Sequence, residues 1–115
     1  MATVNITAYN DSDFYRSFAY QDINNNPIDI TGCSLVMKLR RHAEDATAFL
    51  TLSTETGEIT ITNPTAGSFT IWITQEDLLE LSLGPYDQSL ILTLANNIKK
   101  KIWTGTLVVN AGASR

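Results

Sequence analysis

His42 is the one histidine of the chain and Cys33 its one cysteine, so any imidazole-based site or thiol nucleophile would have to be assembled around these two residues. A catalytic base needs a fixed place within hydrogen-bond reach of the proton it takes, usually with a third group to orient it. His42 instead follows Arg41 at the start of a polar stretch reaching Ala46, which predicts an exposed loop histidine. Cys33 leads into Ser34, Leu35 and Val36 at an expected strand entry and is predicted to be a buried, inert thiol. Alone it forms neither an intrachain disulfide nor a zinc cluster. A small hydrolase would need His42 beside a carboxylate or Cys33.

The carboxylates Asp22, Asp29, Glu44, Asp45, Glu55, Glu58, Glu76, Asp77, Glu80 and Asp87 never take the Asp-x-Asp-x-Asp-Gly spacing of a calcium loop. Adjacent acids such as Glu44 and Asp45 are expected to solvate a loop, and a chain of this size leaves little room for a glycosidase cleft. The six glycines are scattered one per turn, with no phosphate-cradling loop and no nucleophile elbow. No catalytic residue, cofactor or metal is therefore assigned, and a non-enzymatic module is predicted. The aromatic residues Phe14, Tyr15, Phe18, Tyr20, Trp72 and Trp103 can serve core and interface packing, the expected role, or a stacking platform for sugars or bases.

At 115 residues and 12.7 kDa the chain suits one domain, 1–115, with a single core. Its hydrophobic fraction of 43% and charged fraction of 17% are those of a folding chain. A net charge of -4 and a pI near 4.7 disfavour nucleic acid and anionic membrane surfaces as partners. The basic run Lys99-Lys100-Lys101 follows Asn96 and Asn97 and is expected at the solvated tip of a hairpin. Met1 to Asn10 lacks the basic start and apolar stretch of a secretory signal, which predicts cytoplasmic synthesis.

Short runs rich in Thr, Ile, Leu and Val, separated by Asn, Asp, Gly and Pro clusters, must position any site. Val4, Ile6 and Ala8 alternate with polar residues, and Phe14 to Tyr20 resumes after the turn cluster Asn10 to Asp13. Asn24 to Pro27 predicts a tight turn. Leu35, Met37 and Leu39 then face one way and Val36, Lys38 and Arg40 the other, the clearest half-buried strand. Phe49 to Leu52, Ile59 with Ile61, and Phe69 to Ile73 follow, with Trp72 placed outward or against a partner.

Thr74 can cap a short helix over residues 75–82, with Glu76 and Asp77 in its first turn and Gly84-Pro85 ending it. Tyr86 to Leu94 and Ile98 to Val109 make a hairpin across Asn96-Asn97, expected to be central. Gly105, in mid-strand, marks a bulge or the close approach of another segment. The fold class predicted is all-β: an antiparallel, immunoglobulin-like sandwich of seven or eight strands with one short helix, a small barrel being the alternative. Trp72, Val36, Trp103 and Tyr15 are the candidate interface residues. Asn110 to Arg115, small and polar, is expected to be a flexible or partner-bound tail.

The segment from Asp22 through Pro27-Ile28-Asp29-Ile30-Thr31-Gly32 to Leu35-Val36-Met37-Lys38-Leu39-Arg40 resembles an opening found in tailed-phage and prophage structural proteins. Leu50 to Ser53 before Gly57-Glu58-Ile59, Gly67 to Ile71, Leu83 to Asp87 and Trp103 to Val109 continue the resemblance in order, over roughly Tyr15 to Val109. The pattern is similar to the small sandwich module at the N-terminus of siphophage upper baseplate proteins. That resemblance implies a non-enzymatic virion component, docked on tail, baseplate or fibre proteins and on copies of itself. The resemblance does not extend to the coiled-coil and receptor-facing regions of long baseplate proteins. The alternatives are therefore a stand-alone adaptor, a head or tail decoration protein, or a carbohydrate- or host-receptor-binding module.

Overall fold

The computed structural model describes residues 2–114, which form a mostly-β structure of 40 × 29 × 27 Å. Its strands are β1 (Ala2–Thr3), β2 (Ile6–Tyr9), β3 (Phe14–Ala19), β4 (Ser34–Arg40), β5 (Leu50–Ser53), β6 (Ile59–Asn63), β7 (Ser68–Ile73), β8 (Gly84–Thr93) and β9 (Lys99–Asn110). One short helix, α1 (Gln75–Glu80), lies between β7 and β8, and a single 3₁₀ turn, Pro64–Ala66, precedes β7. Six strands pair in the order β1-β9-β8-β4-β5, with β2 also on β9, and three pair as β3-β7-β6.

Residues at period two pack the two sheets against each other. Leu35, Met37 and Leu39 on β4, Leu90 and Leu92 on β8, and Leu107 and Val109 on β9 meet Phe69, Ile71 and Ile73 on β7 in one buried cluster. The ring of Phe69 lies 5.9 Å from that of Trp103, and Phe18 on β3 lies 5.0 Å from it, so aromatic contacts close the space between the sheets. The hairpin β8–β9 holds the middle of the larger sheet, and its turn places Asn97 at φ 69°.

The sheet is not wholly antiparallel as predicted, because β1 and β2 run parallel to β9. These two segments are halves of one N-terminal run, interrupted where Val4 crosses Gly105. A Cβ on Gly105 would collide with the Val4 carbonyl oxygen, so the mid-strand glycine admits the first strand. Asn5 Oδ1 accepts the Thr106 N–H at 3.2 Å, bridging the interruption.

Thr74 caps α1, its hydroxyl accepting the Asp77 N–H at 3.2 Å, and Leu78 plugs the core. The helix stops at Glu80, earlier than predicted. Leu81 is already extended, and Gly84, at φ 118°, with Pro85 begins β8 rather than ending the helix. The C-terminal segment is also not a loose tail through Ser114. The Gly112 N–H donates to Oδ1 of the buried Asn10 at 2.9 Å, and the Ser114 N–H to Asp11 at 3.4 Å. Arg115 lies outside the described residues.

Candidate interaction surface

Cys33 and His42 flank opposite ends of β4. His42 is exposed in the loop after β4, its backbone N–H donating to Asp45 Oδ2 at 3.2 Å. Cys33 is half-buried rather than buried, with its thiol 3.9 Å from the Thr31 carbonyl. Among the described residues, no three His, Cys, Asp or Glu side chains gather as metal ligands, and no helix is long and apolar enough to cross a membrane.

The aromatic residues divide by strand periodicity. Phe14 and Trp103 are buried in the core, and Phe18 and Tyr20 are half-buried against it. The six-residue stacking platform is therefore not formed. Trp103 cannot be a surface contact: it is 4% exposed and donates its indole N–H to Gln88 Oε1 at 2.8 Å. Val36 lies on the outer face of the six-stranded sheet, half-buried between Ile91 of β8 and Ser53 of β5.

Tyr15 and Trp72 remain together. They are register partners on β3 and β7, on the outer face of the three-stranded sheet, 71% and 43% exposed. Below them on this face, Ser17 and Thr70 share a hydroxyl hydrogen bond of 2.9 Å. Burying such a pair in a contact would remove large apolar area from water while leaving polar atoms at its rim.

Asp13 fixes this face and was not among the predicted site residues. One carboxylate oxygen accepts the Trp72 indole N–H at 2.9 Å; the other accepts the Gln75 N–H, in the first turn of α1, at 2.7 Å. These two hydrogen bonds, the indole's first, hold the Asp13 carboxyl below its ordinary value of 3.8. One side chain thus ties the aromatic pair to the acidic start of α1. The sequence signal was available: an acid in the turn before β3, together with a tryptophan placed outward. Their partnership spans 59 positions and is tertiary.

The opposite outer face, on the six-stranded sheet, has another character. A depression of about 430 Å³ is lined by Lys38, Arg40 and Lys101 among the hydroxyls of Ser89, Thr104 and Thr106. Its carboxylate, Asp87, is already engaged by the Ala43 N–H at 2.9 Å. Arg40 is steadied by donating Nε–H to the Asp45 carbonyl at 2.8 Å.

No family model and no curated protein matches the chain. Among solved structures it is similar to AggA, the major subunit of aggregative adherence fimbriae type I from Escherichia coli, at 11% identity and a TM-score of 0.41. That match covers 94% of this chain and 91% of the other. A likeness this distant transfers no function. The tailed-phage resemblance is nevertheless corrected: no family model or curated protein upholds it, and the solved structure named above is a bacterial fimbrial subunit. The virion location, the phage partners, and the baseplate, tail, fibre and decoration roles are withdrawn with it. The glycan- or receptor-binding alternative loses its platform to the core.

Proposed function

We propose that this chain is a single-domain, immunoglobulin-like, non-enzymatic β-sandwich subunit that associates with copies of itself through the outer face of its three-stranded sheet. The observation carrying this reading is the Tyr15–Trp72 pair, exposed side by side and held in place by Asp13. A large indole fixed by a hydrogen bond loses little conformational freedom on docking, which favours association. Aromatic side chains of this kind are enriched among residues that dominate binding energy.

Sedimentation analysis across a concentration series tests the reading. The native chain is expected to associate, and Trp72→Ala with Tyr15→Ala to weaken association by at least about tenfold, the range of an interface hot spot. Tyr15→Ala alone should leave unfolding within about 0.5 kcal/mol of native, as for other exposed positions, providing the folding control. A native chain that stays monomeric at every concentration would refute the proposal.

A further inference from the structure

The depression on the outer face of the six-stranded sheet has a charge opposite to that of the chain as a whole. The net charge is -4, yet Lys38, Arg40 and Lys101 converge on one depression. Lys38 and Lys101 are exposed, and the Val36–Ile91 pair gives the same outer face an apolar patch. Arg40 uses one guanidinium donor on Asp45, and an arginine carries five.

The Tyr15–Trp72 face has complementary chemistry. Asp13 sits against the indole, and its second oxygen reaches the first turn of α1, where Glu76 and Asp77 lie. Leu79 on the same helix is 49% exposed. Arg16, the cation on β3, is placed over the Phe14 ring, 5.1 Å from its centre, rather than beside Tyr15 across the strand. This face therefore offers aromatic rings flanked by acids, and the depression offers cations flanked by hydroxyls, with Val36 and Ile91 elsewhere on the same outer face. Arg and Lys over Trp and Tyr rings add cation–π attraction to the ion pairing.

We propose that the outer face of the six-stranded sheet, around Lys38, Arg40 and Lys101, receives the Tyr15–Trp72 face of a second copy. The inference rests on the self-association reading and names the partner surface for it. The two faces are different and lie on opposite layers of the molecule. Joining one to the other uses each face once and leaves a free face at either end. Such a heterologous contact adds copies head to tail instead of closing a pair.

Mixing experiments separate this arrangement from a symmetric one. A groove variant, Lys38→Glu with Lys101→Glu, and a face variant, Tyr15→Ala with Trp72→Ala, should each be monomeric. Their circular dichroism spectra should stay native, since the altered side chains are exposed. Mixed, each supplies the face the other lacks, so a dimer should appear that does not grow further. Association of the native chain should fall at least about tenfold between low and high salt, because screening weakens exposed charge pairs. Glu76→Lys should weaken association of the native chain and partly restore it in the groove variant. A groove variant that associates like the native chain overturns the proposal while leaving the Tyr15–Trp72 reading intact. A mixture that yields no dimer does the same. A native chain that never associates removes both readings.

Discussion

The Trp103 indole N–H donates to Gln88 Oε1 at 2.8 Å inside the core, while Gln88 Nε2 donates to the Val4 carbonyl at 2.7 Å. A single buried amide thus orients the central tryptophan and ties the interrupted N-terminal run to β8. Every polar atom of this bridge is paired, which is what burial at 2% exposure demands.

Gln88→Ala should lower stability by about 2–4 kcal/mol, since it leaves the Val4 carbonyl and the Trp103 N–H unpaired and opens a cavity. The urea midpoint measures this. A shift no larger than that of an exposed substitution would show that the bridge is energetically idle.

Two glycines should behave differently for a physical reason. Gly57 has φ 91° and open space around it, so Gly57→Ala should cost about 1 kcal/mol from backbone conformation alone. A Cβ at Gly105 would meet the Val4 carbonyl, so Gly105→Ala should displace the first strand and cost more than about 2 kcal/mol. Hydrogen exchange should show lost protection at Val4 and Thr106 in the second variant only.

Asp13 makes the Trp72 face sensitive to acid. Its folded value lies below the ordinary 3.8, so its contribution is fully present above that value and is lost as pH falls through the lowered folded value. The Trp72 indole N–H resonance should therefore move as pH falls through that lowered value. In Asp13→Asn the transition should be absent, whereas a transition that persists would place its origin elsewhere.

Asn10 anchors the C-terminal segment, accepting the Gly112 N–H from a position that is 7% exposed. Asn10→Ala should cost about 1–2 kcal/mol, as for a buried hydrogen bond lost from one side. It should also speed amide exchange over residues 111–114 and open that segment to proteolysis. Unchanged exchange there would mean that other contacts suffice to hold it.

Much of the layout follows from the sequence alone, because period-two alternation is local. Leu35, Met37 and Leu39 alternate with Val36 and Lys38, and only one face of such a strand can be buried. The cap at Thr74, the outward Trp72 and the turn at Asn97 depend likewise on near neighbours and were all legible. What tertiary structure alone decided rests on pairings far apart in the chain. The parallel placement of β1 and β2 on β9, the burial of Trp103 against Gln88 and the anchoring of the C-terminal segment by Asn10 belong here. So do the grip of Asp13 on Trp72 and the convergence of Lys38, Arg40 and Lys101 on one face. Strand alternation states that a residue faces in or out, but which strands become neighbours is set by packing the whole core, and that ordering fixed which side chains meet.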